Sequence, residues 1–356
     1  MRFIHTADIH WGMVPDSDRP WGKKREQAIR LTFQAIIDEA RETHADLLLI
    51  AGDLFHRQPV IRDLKEVNYM FSTIPHTRVV IIAGNHDRIR KSSALLSFTW
   101  APNVSFLMDE SLTSVYFPEI NTEVYGFSYH TAEITDNRAS SFVVPDNSHV
   151  KILMLHGGDA KHLPLDRDAL AASPFSYIAL GHIHKPGMIL ENRIAYPGSP
   201  EPLDLTETGP HGFIKGEIDE RTGKVTSLEF KAISQAQYIP LVINVTTATT
   251  NAELSQIIAD EIRKRGASNI YRFRIRGMRD PDTHYDLDFL SGQWNIVEMT
   301  DETEPQYDFH ALFAEHSSDM IGFYIQELLK DDMSQVEKKA LYYGIHALLM
   351  TKDERS

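Results

Sequence analysis

The chain has 356 residues, of which 42% are hydrophobic and 24% charged, as in soluble globular proteins and unlike collagenous or disordered chains. It contains no cysteine, which excludes disulfide bonds and thiolate metal sites and fits a cytoplasmic protein. The net charge of −14 argues against strong generic affinity for nucleic acid. No apolar run reaches the roughly 20 residues of a membrane-spanning helix, and the first residues do not resemble a secretory signal, so no membrane partner is expected.

The first half of the chain alternates apolar, β-branched runs with amphipathic stretches. Strands that alternate with helices, and then strands that follow one another closely, predict a layered α/β sandwich with mixed β-sheets. The predicted helices are 23–43 and 62–72, and the predicted strands are 3–8, 46–51, 78–83, 104–108, 124–129, 151–155, 177–180 and 193–196.

The second half begins with a hairpin over 212–233 and continues as a smaller α+β unit. We predict three regions: a main domain at 1–235, a small α+β domain at 236–305, and a helical segment at 306–356. The expected elements after residue 236 are strands at 240–245, 271–276 and 294–299, and helices at 251–265, 309–329 and 334–349.

Polar residues of metal-binding type follow five of the predicted strands. Strand ends in α/β sheets are where ligands gather, because side chains converge there at one edge of a rigid scaffold. Each short pattern is weak alone, since a lone Asp-x-His is usually a solvated strand end. Five in succession predict a metal site, formed from Asp8, His10, Asp53, His56, Asn85, His86, His156, His182 and His184.

The types of these residues indicate the class of metal. Carboxylate, imidazole and amide oxygen without thiolate suit Mn, Fe or Zn. Seven of these nine residues are candidate ligands, which is more than one ion with an open position needs, so two ions are implied. Two ions can hold both oxygens of an in-line phosphoryl displacement and activate water.

The ordered set D-x-H, G-D-x-x-H, G-N-H-D, H-G-G and G-H-x-H, within residues 1–198, resembles the calcineurin-like metallophosphoesterases. The resemblance implies a four-layer α/β sandwich and two divalent ions, with Mn²⁺ expected and Fe or Zn as alternatives. It implies a non-ligand role for His86, which would donate to the leaving oxygen. It also implies that one ion is held by Asp8, His10 and His184, the other by Asn85, His156 and His182, and both by Asp53.

Further features narrow the resemblance. The sequence has histidine at position 56 in Gly-Asp-Leu-Phe-His, where many phosphatases of the superfamily have aspartate. This, the opening HTADIHWG and the segment 196–203 are similar to the DNA double-strand-break repair nucleases of the SbcD/YhaO-like group. The resemblance implies DNA as substrate, a cap formed by the second domain, an SbcC-like coiled-coil ATPase as partner, and a homodimer. His56 would orient or assist His86.

Basic residues lie close in sequence to the catalytic loops and are candidates for a track along the DNA backbone. The alternative is a solvated, basic helix face. The sequence has no GxxxxGK[ST], so any ATPase function must come from another polypeptide. The candidate DNA-binding residues are Lys24, Arg25, Arg57, Arg88 and Arg90.

Two apolar surfaces are candidates for protein contacts. Segments 64–74 and 94–100 carry apolar residues that predict a two-fold helical interface: Leu64, Val67, Met70, Phe71, Leu95, Leu96 and Phe98. The two carboxyl-terminal helices carry another set, which either belongs to the cap or docks a partner: Phe309, Leu312, Phe313, Met320, Phe323, Tyr324, Val336, Ala340, Tyr343 and Ala347.

Three functions remain open from the sequence. The first is a metal-dependent DNA exonuclease, with endonuclease activity as an option, that acts at DNA ends in repair. The second is a small-molecule or cyclic-nucleotide phosphodiesterase, or a phosphomonoesterase, built on the same site, which the acidic net charge favours. The third is a catalytically idle scaffold, which the complete ligand set argues against.

Overall fold

The computed structural model describes residues 1–353, which form fifteen strands and eight α-helices. The helices are α1 (Gly22–Glu42), α2 (Ile61–Ser72), α3 (Arg167–Ala172), α4 (Asn251–Arg265), α5 (Leu287–Gly292), α6 (Phe309–Glu315), α7 (Met320–Leu328) and α8 (Gln335–Asp353). The strands are β1 (Arg2–Thr6), β2 (Leu47–Ala51), β3 (Arg78–Ile82), β4 (Val104–Phe106), β5 (Thr113–Phe117), β6 (Thr122–Gly126), β7 (Val150–His156), β8 (Tyr177–Gly181), β9 (Gly187–Leu190), β10 (Ile194–Tyr196), β11 (Gly212–Asp219), β12 (Lys224–Ala232), β13 (Tyr238–Val245), β14 (Ile270–Arg279) and β15 (Ile296–Pro305).

Two six-stranded mixed sheets form the first part of the chain. The first has the order β12-β11-β1-β2-β3-β4, in which β1 to β4 are parallel and β11 and β12 are antiparallel neighbours. The second has the order β5-β6-β7-β8-β10-β9, with a parallel centre and antiparallel strands at both edges. The predicted mixed α/β sandwich is confirmed.

Alternating side chains of β2 show how these sheets form layers. Leu47 and Leu49 pack between the two sheets, whereas Leu48 and Ile50 pack against the outer helices α1 and α2. Because successive side chains of a strand point to opposite faces, a strand covered on both sides reads as a continuous apolar run. A third apolar cluster covers the outer face of the second sheet, which completes four layers.

The sequence patterns missed the two edge strands β5 and β9. Both are short, and their side chains are largely exposed or half-buried. An edge strand that buries little has no reason to carry the apolar run by which a central strand is recognised.

The structure divides the chain into two compact units. The first comprises Met1–Ile239 with Ser268–Ile270, and the second comprises Pro240–Ala267 and the residues from Tyr271 onward. The second unit contains a three-stranded sheet in the order β13-β14-β15, with β14 parallel to β15. The finer division predicted at 236–305 and 306–356 remains a prediction.

The single helix predicted over 309–329 is wrong, because the segment forms α6 and α7. The carboxylate of Asp319 accepts hydrogen bonds from the backbone of Ile321 (3.0 Å) and Gly322 (3.4 Å), and so caps a new helix. Ser334 and Glu337 form a reciprocal cap at the start of α8. The buried side of α7 and α8 consists of Ile321, Ile325, Leu341 and Ile345, which the sequence analysis did not select.

The residues predicted to form a dimer interface are mostly core. Leu64, Val67, Phe71 and Leu95 are fully buried, since α2 packs on the first sheet. Segment 94–100 contains only a short 3₁₀ turn, Ala94–Leu96, rather than a helix. Of the seven selected residues only Leu96, at 53%, is a well-exposed apolar side chain, so the predicted interface needs a different set.

No helix in the described part of the chain combines the length and the apolar character needed to cross a membrane.

Candidate metal centre and active site

The predicted site residues lie where parallel strands of both sheets end. They follow β1, β2 and β3 in the first sheet, and they end or follow β7 and β8 in the second. Because the carboxyl ends of parallel strands meet at one edge, side chains from five connections converge there. The structure brings together Asp8, His10, Asp53, His56, Asn85, His86, His156, His182 and His184.

One cluster consists of Asp8, His10 and His184. Nε2 of His10 lies 3.2 Å from Nε2 of His184, which in turn lies 3.9 Å from Oδ1 of Asp8. Oδ2 of Asp53 borders this cluster, 3.8 Å from Nε2 of His10. Two imidazole nitrogens and two carboxylates therefore face the same small volume, and they could hold one divalent ion.

A second cluster forms on the other side of Asp53. Nε2 of His156 lies 3.0 Å from Oδ1 of Asn85 and 3.2 Å from Oδ2 of Asp53. Nδ1 of His156 donates to the backbone carbonyl of Ala51 (2.9 Å), which leaves Nε2 as the nitrogen that faces the cluster. The carboxylate of Asp53, which is 1% exposed, thus borders both clusters.

His182 reaches the site through its backbone as well as its ring. Its backbone N–H donates to both carboxylate oxygens of Asp8, at 3.1 and 2.9 Å. The ring centroid lies 5.2 Å from that of His156, and Nε2 lies 2.7 Å from Oδ2 of Asp159. The ring nitrogen left for the second cluster is therefore Nδ1.

His56 and His86 lie side by side next to the first cluster. Their rings stack with centroids 5.2 Å apart, and Nδ1 of His56 lies 3.3 Å from Nδ1 of His10. The backbone N–H of His86 donates to Oδ1 of Asp53 (2.9 Å), and Nδ1 of its ring donates to the carbonyl of His56 (3.0 Å). Nε2 of the exposed His86 ring is thereby left for an incoming ligand.

The buried charges of the site depend on one another. Burial raises the pKa of Asp8 to about 6, against the opposing charges of His156 and His184. Burial acts to lower the pKa of His156, but the Asp53 carboxylate outweighs it and raises this pKa to about 9. His184 likewise has its pKa raised to about 9, against burial, by Glu207 and Asp8. Imidazole binds metal only when neutral, so a metal ion would compete with the protons that these carboxylates favour on His156 and His184.

Four of the site residues adopt the left-handed backbone conformation, which costs a non-glycine residue roughly 1–2 kcal/mol. They are Asp8 (φ 53°), His10 (φ 49°), Asp53 (φ 51°) and His182 (φ 93°). Each lies in the connection that follows β1, β2 or β8. The clustering of strained residues at one place marks the site independently of its chemistry.

Gly84 shows how closely the backbone approaches the second cluster. A Cβ atom at this position would meet Oδ1 of Asp53, and it would lie 2.6 Å from Nε2 of His156. Its N–H donates to the buried carboxylate of Asp87 (2.8 Å), which also accepts from the backbone of Phe55 (3.1 Å). A side chain at Gly84 would therefore clash with Asp53 and His156. Asp87 connects the loops that follow β2 and β3 by hydrogen bonds.

Three of the predicted DNA-binding residues lie next to His56 and His86. Arg57, Arg88 and Arg90 line an open cavity of about 530 Å³ together with His56 and His86. These cations come from the loops after β2 and β3, directly beside the residues that follow those strands. Lys24 is exposed on α1 and is not among the residues that line this cavity.

The prediction that Arg25 contacts DNA is wrong. Its side chain is 3% exposed, and its guanidinium pairs with Glu201 at 2.6 Å and donates to the carbonyl of Pro202. Glu201 is itself buried and accepts further hydrogen bonds from Thr32 (2.8 Å) and the backbone of Gln235 (2.8 Å). A guanidinium that neutralises a buried carboxylate is not available to a phosphate.

The sequence analysis missed Asp87, Asp159 and Glu207, all of which contact site residues or their loops. Asp87 ends the recognised motif G-N-H-D, and Asp159 directly follows the recognised motif H-G-G, so their positions carried a signal. Glu207 is separated from the G-H-x-H motif by more than 20 residues, yet its Oε1 lies 2.6 Å from Nδ1 of His184. Only the fold brings it there.

The donor set fits two divalent ions. Carboxylate, imidazole and amide groups converge, and in each of two groups, Asp8 with His10 and His184 and Asp8 with Asp53 and His156, the ligand atoms lie within 4.8 Å of one another. Hard oxygen and borderline nitrogen donors without sulfur suit Mn, Fe or Zn, as the sequence predicted.

Comparison with protein families agrees with this geometry. The calcineurin-like phosphoesterase family model matches residues 1–186, which is just over half of the chain. The chain belongs to this family. The calcineurin-like phosphoesterases are metal-dependent hydrolases of phosphoesters with a dinuclear centre, and this chain is one of these enzymes.

Curated relatives of this phosphoesterase include bacterial and archaeal proteins. The metallophosphoesterase YhaO of Bacillus subtilis is 27% identical over 300 residues, which cover 78% of this chain and 72% of YhaO. The DNA double-strand break repair protein Mre11 of Methanopyrus kandleri is 27% identical, covering 68% of this chain and 59% of that protein. For Mre11 of Archaeoglobus fulgidus the identity is 30%, over 58% and 52% of the two chains. This phosphoesterase thus spans little more than half the length of its archaeal relatives.

Proposed function

We propose that this phosphoesterase is a DNA nuclease that hydrolyses phosphodiester bonds at DNA ends, with Mn²⁺ as the expected metal. The observation that carries this proposal is the cavity of about 530 Å³ in which three arginines adjoin the two non-ligand histidines. A small phosphomonoester needs few cations, whereas a polymer presents further phosphates beside the reacting one. The name shared by the archaeal relatives, DNA double-strand break repair protein, supports the same class of substrate.

In this proposal the two clusters hold one ion each. Asp8, His10 and His184 would hold the first ion, Asn85, His156 and His182 would hold the second, and Asp53, which borders both clusters, would serve both. Bound ions supply charge stabilisation to the phosphoryl oxygens and activation of water.

His86 acts on the leaving group. Its Nδ1 donates to the carbonyl of His56 and its backbone is held by Asp53, so Nε2 is directed away from these anchors. From there it donates a hydrogen bond or a proton to the departing 3′ oxygen. His56, whose ring stacks on that of His86, keeps it in place.

The proposal is tested with purified full-length protein, Mn²⁺ and four substrates: duplex DNA, single-stranded DNA, an aryl phosphodiester and an aryl phosphomonoester. We expect Arg88→Ala combined with Arg90→Ala to lower DNA cleavage about tenfold and to leave hydrolysis of the aryl phosphodiester unchanged. Arg221→Ala, at a side chain 92% exposed, is the matched control and should change neither.

The alternative is a small-molecule phosphodiesterase or phosphomonoesterase, which the net charge of −14 favours. Efficient hydrolysis of an aryl ester with no cleavage of either DNA would establish that alternative. No hydrolysis of any of the four substrates with Mn²⁺, Fe²⁺ or Zn²⁺ would contradict both enzymes.

We also propose that the outer face of α7 and α8 docks an SbcC-like coiled-coil ATPase. Five large apolar side chains are exposed there: Met320 (70%), Phe323 (57%), Val336 (78%), Tyr343 (54%) and Met350 (57%). Co-expression with such an ATPase should give a complex that Phe323→Asp with Tyr343→Asp disrupts, while nuclease activity alone persists. Val143→Asp, at an apolar residue of the first unit that is 92% exposed, is the control.

A homodimer remains part of the proposal, with a revised contact set. Ile61 (47% exposed) and Tyr69 (71%) lie two turns apart on the outer face of α2, and Leu96 (53%) is exposed in the 3₁₀ turn. We expect light scattering to give a dimer at tens of micromolar and a monomer for Tyr69→Asp. A wild-type monomer at that concentration would contradict a stable dimer.

A further inference from the structure

Two of the histidines assigned to metals are held from outside by carboxylates that bind no metal in this assignment. Nδ1 of His184 lies 2.6 Å from Oε1 of Glu207, and Nε2 of His182 lies 2.7 Å from Oδ2 of Asp159. Because a carboxylate only accepts, each of these ring nitrogens carries the hydrogen and donates it. The opposite nitrogen of each ring, Nε2 of His184 and Nδ1 of His182, is left as the ligand atom.

We infer that Glu207 and Asp159 are positioning residues, and that each controls a different ion of the pair. Glu207 acts through His184 on the ion held by Asp8 and His10. Asp159 acts through His182 on the ion held by Asn85 and His156. The inference rests on the ligand assignment in the proposed function, and it adds the residues that select the ring nitrogen offered to each ion.

Glu207 is rigidly held. Its Oε2 accepts hydrogen bonds from Oγ of Ser199 (3.0 Å) and from the backbone N–H of Leu203 (2.9 Å), so both oxygens are used. The side chain is only 10% exposed, and water competes little for the bond to His184. The orientation of the His184 ring therefore depends directly on this carboxylate.

Asp159 is anchored as well, but it is closer to solvent. Its Oδ1 accepts from the backbone of Lys161 (2.7 Å) and of His162 (2.9 Å), and the ring of His162 also lies against it at 3.0 Å. Its side chain is 45% exposed, so water can in part replace it as the hydrogen-bond acceptor of the His182 ring. We therefore expect Asp159 to matter less than Glu207.

His156 serves as an internal reference for this arrangement. Its outward nitrogen donates to the backbone carbonyl of Ala51 (2.9 Å), which no side-chain substitution removes.

Replacing the two carboxylates, Glu207 and Asp159, with amides keeps their shape but offers an N–H where an acceptor was. The ring must then expose a lone pair outward and carry its hydrogen on the nitrogen that faces the metal.

The test is calorimetric titration of Mn²⁺ into the metal-free, full-length protein and its variants Glu207→Gln and Asp159→Asn. Wild type should bind two ions. Glu207→Gln should weaken one binding step about 100-fold and Asp159→Asn the other about tenfold, within the range known for such outer carboxylates. The isosteric controls Glu191→Gln and Asp146→Asn, both at exposed positions, should bind like wild type.

Electron paramagnetic resonance distinguishes positioning from general damage. Two equivalents of Mn²⁺ are added at a concentration above both wild-type dissociation constants and below the weakened constant of each variant. Wild type should then show a spin-coupled pair, and each variant an isolated ion. Two unchanged binding steps in both variants, with the coupled signal retained, would overturn the inference and leave the proposed function intact. No Mn²⁺ binding by wild type would instead overturn the ligand assignment.

A measurement without mutation guards against variants that fail to fold. In ¹⁵N-histidine spectra of the wild-type protein loaded with diamagnetic Zn²⁺, the resonance of His184 should show hydrogen on Nδ1 and that of His182 hydrogen on Nε2. The opposite tautomer at either residue would contradict the inference, whatever the behaviour of the variants.

Discussion

The site edge of the first unit and the β14–β15 face of the second unit both carry closely spaced charges, but they bury them differently. At the site, Asp8 and Asp53 are no more than 1% exposed and contact several histidines each. On the second unit, Arg276 donates to Glu302 across the strand pair at 2.7 Å while both side chains remain 37–48% exposed.

This difference in burial indicates which charges the activity and stability of the protein depend on. A buried charge loses its hydration, so it is tolerated only with partners, and removing one partner strands the rest. An exposed pair keeps most of its hydration, and each member can be lost almost independently. Function should therefore concentrate in the buried set, and the exposed set should be nearly neutral.

The largest effect is expected from Asp53→Asn, because this residue contacts both clusters. The amide keeps the shape but removes the charge that attracts both ions, so metal content and hydrolysis should fall together, the latter by about 10⁴-fold or more. Elemental analysis after gel filtration and a phosphodiesterase assay check this. Asp18→Asn, at a side chain 76% exposed, is the control. An Asp53 variant that retains two ions would contradict the assigned position between them.

His86→Ala separates binding from catalysis at the same edge. Because His86 acts on the leaving oxygen and is no ligand, turnover should drop about 10²–10⁴-fold while two ions remain bound. His56→Ala should lose less, since it only supports the His86 ring. Metal loss in the His86 variant, or near-native cleavage of DNA, would show that its role is assigned wrongly.

His5 tests the cost of a buried titratable group away from the site. Its ring is fully buried between the hydroxyl of Tyr177 (2.8 Å) and the carbonyl of Leu180 (3.1 Å), and burial lowers its pKa to about 3. Below pH 6.5, its ordinary pKa, His5 is protonated in the unfolded chain but stays neutral in the folded protein. The free energy of unfolding therefore falls as the pH drops through that value.

Between pH 7 and pH 5 we expect His5 to reduce the free energy of unfolding by about 2 kcal/mol. His5→Gln should remove this part of the acid sensitivity, measured by urea unfolding at the two pH values. The exposed His76→Gln provides the comparison. Equal pH dependence in wild type and His5→Gln would refute the account.

The smallest effect belongs to the exposed pair of the second unit. A double-mutant cycle with Arg276→Ala and Glu302→Ala should give a coupling energy below about 1 kcal/mol, and salt should weaken it. Thermal unfolding of the four proteins measures it. A coupling energy of several kcal/mol would contradict the expectation that exposed charge pairs contribute little to stability.

The central strands and the site were predictable because both follow from short-range pattern. A strand covered on both faces, such as β2, must be apolar throughout, and polar residues directly after it stand out. The same logic placed nine site residues at one edge without any knowledge of distances.

The remaining features depend on contacts that no local pattern shows. The sequence predicts that Arg25 contacts DNA because it lies close in sequence to the first catalytic loop, but the partner that buries it, Glu201, lies 176 positions away. Glu207 was not predicted as a site residue because its partner, His184, is likewise distant in sequence. On α2 the apolar stripe was visible, yet whether it faced a sheet or a second subunit depended on packing alone.

The left-handed turn at Asp8 has a consequence for directed evolution. This residue combines a strained backbone with a buried carboxylate whose pKa is raised to about 6, so in the metal-free protein it is a liability twice over. Asparagine tolerates that backbone and carries no charge. Selection of this chain for heat resistance or soluble yield without metal would enrich asparagine there, and the survivors would be robust and inactive. Libraries of this enzyme need to be screened with metal present.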